Sequence, residues 1–163
     1  MRPLTDALIR ASFVNASRSE RKNLTLPPGF DDLDWDRLDF LGWRDPKLPN
    51  VGCLVVELDG EPVGLLMRQA GTRPRTRPQC SWCSDITLPN EVVLYTTRRA
   101  GDAGRRGDTV GTLICEDFEC PQNVRRLPPS AYLGFDREAA RDRRIETLRE
   151  HVESFVRDVR GEG

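Results

Sequence analysis

The chain has 163 residues, of which 37% are hydrophobic and 31% charged, and a formal net charge of -1. This is the composition of about one globular domain with a real core, and it excludes an intrinsically disordered chain. A near-zero net charge excludes a global pull toward nucleic acid or membrane, so electrostatic binding must come from local patches.

The opening residues carry Arg2, Asp6 and Arg10 among apolar ones, unlike a secretory leader, and the apolar runs near Cys53–Val56 and Val63–Met67 are too short to span a bilayer. The expected location is cytoplasmic and no membrane partner is expected. Thiols stay reduced there, so paired cysteines point to metal or redox chemistry.

Leu4, Leu8 and Ala11 or Ser12 recur at helical spacing, which predicts a first helix that Pro3 or Thr5 starts and that ends before Leu26-Pro27-Pro28-Gly29. From Asp31 to Asp45 six aspartates stand against Arg37 and Arg44. Trp35, Phe40 and Trp43 interrupt them, which reads as a loop anchored by its rings with its carboxylates in water. Cys53–Leu58 and Val63–Met67 read as a hairpin closed by Asp59-Gly60. A basic, proline-broken linker, Gly71–Pro78, follows. Val92–Thr97 and Thr109–Ile114 form a second hairpin, joined by a glycine- and arginine-rich stretch from Arg98 to Asp108 that reads as a mobile loop. A helical turn is expected between Asn123 and Pro129. Ile145, Leu148, Val152, Phe155, Val156 and Val159 form the stripe of an amphipathic C-terminal helix, with Asp136 as its N-cap. Seven acids and seven arginines between Asp136 and Arg160 leave that helix neutral, with a salt-bridged outer face.

Cys80-x-x-Cys83 and Cys115-x4-Cys120 are the strongest chemical signal in the chain. Zinc takes four soft ligands in a tetrahedron, with sulfurs at about 2.3 Å. A knuckle, a hairpin whose return strand delivers the second pair, and a helical turn follow the order of a treble-clef finger. One structural Zn2+ held by Cys80, Cys83, Cys115 and Cys120 is therefore expected. A redox Cys-x-x-Cys would open a helix after a strand and need no second pair. An iron centre would use similar ligands, and a catalytic zinc keeps an open position. Cys53, at the start of an apolar strand, reads as a small buried residue. His151 is the only histidine and flanks the last helical stripe. No nucleophile–base pair is evident, and Gly101–Gly107 lacks the lysine and hydroxyl of a phosphate-cradling loop. The chain thus reads as a binding protein, not an enzyme, with no small-molecule substrate.

Two features could bind a partner. Trp82, between the knuckle cysteines, either folds back on its own hairpin or stands out as an aromatic anchor. Arg98, Arg99, Arg105 and Arg106 crowd the hairpin loop, as a solvated loop or as a contact for an acidic protein or RNA. Tyr132 could add a ring if its segment folds back over the finger.

The chain resembles the elongation factor G-binding proteins of the fusidic-acid-resistance type (FusB/FBP-type). The resemblance rests on Phe13-Val14-Asn15, on Asp39-Phe40-Leu41-Gly42-Trp43-Arg44-Asp45-Pro46 and on the two cysteine pairs, and runs from about Leu8 to Tyr132. It implies an α+β fold: an α/β portion with short hairpins (1–78) packed on a treble-clef finger (79–135), with the C-terminal helix (136–163) as an addition, all in one module. It also implies the four cysteines as zinc ligands and elongation factor G as partner, on or off the ribosome. Resistance proteins of this type carry a further N-terminal helical bundle. The second functional reading is a finger that binds ribosomal RNA through its arginine loop.

Overall fold

The computed structural model describes residues 1–72 and 74–162; Arg73, within the basic linker, and Gly163 lie outside them. Two short helices, α1 (Asp6–Ser12) and α2 (Arg18–Asn23), lead into two single 3-10 turns. A five-stranded antiparallel sheet follows in the order β1 (Leu41–Asp45), β2 (Leu48–Leu58), β3 (Glu61–Gln69), β4 (Val92–Arg98), β5 (Thr109–Cys115). A helical turn, α3 (Gly101–Arg105), links β4 to β5, and α4 (Cys120–Arg125) and α5 (Arg137–Arg160) complete the fold. Among the described residues no helix is long and apolar enough to cross a membrane.

The sheet separates two cores. Val51, Cys53 and Val55 of β2 face a layer of Leu4, Ile9, Phe13, Leu24 and Trp43. Leu54, Val56 and Leu58 alternate with them and face the four paired cysteines and Leu148, Val152, Val156 and Val159 of α5. Burial on both sides explains why β2 reads as an unbroken apolar run. Asp59 and Gly60 both have positive φ, the backbone that a two-residue hairpin turn needs.

Three expectations need correction. The first helix starts after Thr5, whose side chain caps Leu8 N–H, but it buries Ile9 and Ser12 and leaves Leu8 exposed. The acidic stretch is not only loop, since Leu41–Asp45 is the edge strand β1, and two of its carboxylates point inward. Asp45 accepts backbone N–H bonds from Thr25, Lys47 and Leu48, and the fully covered Asp39 carboxylate meets Arg125 and Arg149. The Arg98–Asp108 loop is ordered by α3, and Gly104 packs so tightly that a Cβ there would fall 1.8 Å from the Arg99 carbonyl oxygen.

The motif residues have identifiable work. Val14 N–H donates to the Gly64 carbonyl at 2.9 Å, and Asn15 exchanges side-chain hydrogen bonds with the backbone of Leu66. These bonds stitch the N-terminal layer onto β3. Gly42 and Gly52 form a shelf for the Phe118 ring, which comes from the loop between the last two cysteines. A Cβ on Gly42 would lie 2.7 Å from Phe118. Gly42→Ala is therefore expected to cost about 1–3 kcal/mol in urea unfolding of the zinc-loaded protein. The same change should cost much less in a Phe118→Ala background, and equal costs in both would show that the ring is not the obstacle.

Candidate metal centre

Cys80 and Cys83 flank the knuckle that precedes β4. Its turn closes by Ser84 N–H donating to the Cys80 carbonyl at 2.9 Å, with Ser84 at φ 55°. Ser81 N–H donates to the Leu113 carbonyl at 2.7 Å, which ties the knuckle to β5. Cys115 is the last residue of β5 and Cys120 the first of α4, so strand and helix deliver the second pair. All four cysteines are buried, and their sulfurs lie within 4.8 Å of one another. Cys80 and Cys120 Sγ are 3.6 Å apart, and Cys83 and Cys115 Sγ 3.7 Å. Sulfurs at the corners of a tetrahedron about 2.3 Å from zinc sit about 3.8 Å apart, so the set fits.

Without metal the four thiols share their protons: Cys80 and Cys83 lie low, while hydrogen bonding to the other sulfurs and burial push Cys115 and Cys120 up. Cys83 N–H donates to Cys80 Sγ at 3.5 Å, and the Asn123 side-chain amide donates to Cys115 Sγ at 3.5 Å. Hydrogen bonds from Cys115, Cys120 and Cys83 hold Cys80 far below the ordinary thiol range. Cys115 and Cys120 lower Cys83 to about 7. With four protein sulfurs and no exposed face, the site holds one structural zinc. Cys53 lies on the other side of the sheet, where burial pushes its thiol well up.

Trp82 does not stand out as an anchor; it is 2% exposed. The side of the knuckle turned away from the metal is covered by α5, and the indole packs edge-on against Phe40 at 5.5 Å and tilted on Phe155 at 5.7 Å. His151 Nδ1 meets the Trp82 carbonyl at 3.0 Å, a structural bond. Tyr132 is exposed and stacks edge-on against Phe135. It does not join the arginines. Tyr132 precedes α5, whereas Arg99 bonds to Asp158 near the far end of that 24-residue helix, about 36 Å long. Arg105 pairs with Asp102, Arg98 lies 3.9 Å from Glu20, and Arg106 is exposed with no ion pair among the described residues.

Sequence reasoning missed the clamps around the metal. Arg144 reaches Asp85 at 2.9 Å, and Arg149 and Arg125 share Asp39. The arginines of α5 therefore tie it to other elements more than they decorate its outer face. Asn123 carried a signal, since it lies three residues after Cys120 on the same helix face.

Knuckle, hairpin and ligand-bearing helix define a treble-clef zinc-finger protein. The model of the FBP C-terminal treble-clef zinc-finger family matches residues 8–159, and the chain belongs to that family. The match takes in α5, so the C-terminal helix is part of the family fold and not an addition. A solved structure, "Structure of the fusidic acid resistance protein FusC", is 24% identical over 66% of this chain and 52% of that one, with a TM-score of 0.49. The chain thus spans about half the length of that protein. Among curated proteins none matches.

Two outcomes test the site. Native mass spectrometry should find one zinc per chain in wild type and in Cys53→Ala, which should lose only about 1 kcal/mol of stability. Cys115→Ser should unfold the finger, because zinc-site energies of about 10–16 kcal/mol match the stability of a whole domain. A folded monomer without metal at neutral pH would refute the assignment. Trp82→Ala should destabilise by about 3–5 kcal/mol in thermal or chemical melts, as a core truncation does; an unchanged melt would return Trp82 to the surface.

Proposed function

We propose that this module binds translation elongation factor G in the cytoplasm, modulates its interaction with the ribosome and works by binding, not by catalysis. The observation that carries this reading is the family match over residues 8–159. The chemistry of the chain supports it. The zinc is enclosed by sulfur, and the single histidine is engaged with a backbone carbonyl. The burial of Trp82 moves the proposed contact away from the knuckle. Arg106 at the hairpin tip and Tyr132 ahead of α5 are exposed members of the expected set that lie outside the cleft bordered by Arg98, Arg99 and Arg105, of which Arg98 and Arg105 are exposed and ion-paired. Arginine at a rim steers encounter with carboxylates, and an exposed aromatic ring anchors.

Calorimetric titration with purified elongation factor G tests the reading. Wild type should bind with a dissociation constant of about 10 µM or tighter. Tyr132→Ala should cost roughly 2 kcal/mol if the ring is a hot spot. Arg106→Glu should weaken binding more at low salt than at high. Neither change should alter zinc content or melting temperature. No binding by wild type removes elongation factor G as the partner; equal binding by all three moves the interface elsewhere on the module.

A further inference from the structure

A second surface has a different chemistry from the finger tip. Two adjoining clefts share Asn15 and Arg98 and run from the open face of β3–β5 to the hairpin tip. Five arginines line them, Arg21, Arg68, Arg98, Arg99 and Arg105, and no acid does. Three acids stand beside them: Glu20 lies 3.4 Å from Arg68 and 3.9 Å from Arg98, Asp158 pairs with Arg99 and Asp102 with Arg105, so five guanidinium groups meet three carboxylates and a positive excess remains, centred on Arg21, Arg68 and Arg98.

The sheet register arranges these groups. Arg68 pairs with Thr96 and Arg98 with Thr109, and Thr96 and Arg98 are two apart on one strand. All four therefore share one face, with the two arginines on a diagonal of about 7–8 Å. That is comparable to the separation of successive phosphates along an extended strand. Arg68 and Arg98 are more than half exposed, while Gly104 lets α3 close down on the Arg99 backbone and fixes the tip end.

The geometry points to a binding site for the phosphodiester backbone of single-stranded RNA, a ligand separate from elongation factor G. Arginine and threonine are among the side chains that contact phosphate and sugar. The Thr109 hydroxyl can donate to or accept from a ribose 2′-hydroxyl, and Thr96, whose hydroxyl donates to the Arg68 carbonyl at 3.3 Å, can accept from one. A protein partner fits less well, because protein interfaces centre on apolar and aromatic anchors. The exposed large apolar side chains, Leu8, Leu48, Ile86, Leu127, Tyr132 and Leu133, all lie outside the cleft. No aromatic ring lines it either, so bases are not stacked and recognition is of the backbone, independent of sequence.

Fluorescence anisotropy of the zinc-loaded chain with a labelled oligouridylate, without elongation factor G, tests this site separately from the proposed function. Wild type should bind in the micromolar range, with a log–log salt slope of about -2 to -3 for three to four neutralised phosphates. Oligoadenylate should bind alike, the matching DNA several-fold more weakly, and polyglutamate should compete poorly. Arg68→Ala/Arg98→Ala should lower affinity about tenfold and flatten the slope by about 1.4, while keeping zinc and melting temperature. Arg37→Ala, an exposed arginine elsewhere, should change nothing. No RNA binding by wild type, or a double variant that binds like wild type, overturns the proposal. Polyglutamate that competes as well as RNA would make the cleft a site for acidic protein, and DNA binding equal to RNA would overturn the RNA assignment.

Discussion

Four thiolates on one zinc ion are the cross-link on which the finger half of this molecule rests. They join a knuckle before β4, the end of β5 and the start of α4, segments up to 40 residues apart in sequence. Each is too short to persist alone; α4 has six residues, well under the length at which an isolated helix is stable in water. Once closed, the site presents Trp82 and Phe118 on either side, and each ring fills a gap that local structure leaves open. Phe118 lies on the glycine shelf of β1 and β2, and Trp82 lies in the groove under α5. The metal thereby fixes the sheet and the last helix as well as its own loops.

The same helix is held by charge. Arg144, Arg149 and Arg157 leave α5 to reach Asp85, Asp39 and Asp59, one each on the knuckle loop, the approach to β1 and the first hairpin turn. Asp39 is fully covered and meets guanidinium groups from both α4 and α5. Removing that carboxylate would leave two cations facing each other, so these ties fix which way the helix lies more than they add net stability. Apolar packing of Leu148, Val152 and Val156 supplies the adhesion.

Features set by short-range pattern were legible in the sequence. The cysteine spacing, the Asp59-Gly60 turn and the α5 stripe with its Asp136 cap each reside in a few adjacent residues. The features that were not legible depend on contacts across the chain. β1 is five residues long, and its buried alternation of Leu41, Trp43 and Asp45 holds only two apolar residues and ends on an aspartate, too short a pattern to mark a strand. The position of Trp82 depends on α5, some seventy residues on, and nothing within the knuckle reveals that cover. α3 forms because Gly104 can approach the Arg99 backbone, a close contact that composition reads only as flexibility.

Trp43 and Trp82 sit in the two cores on opposite faces of the sheet, and Trp35 packs at the edge of the N-terminal layer. The molecule therefore carries a separate optical reporter in each half. Emission from Trp82 senses the sulfur cluster a few residues away, while Trp43, its indole N–H bonded to the Thr25 carbonyl at 2.8 Å, senses only the far layer. With Trp35 and one of the two core indoles silenced, the light of the remaining one distinguishes a finger that has opened from a chain that has come apart altogether.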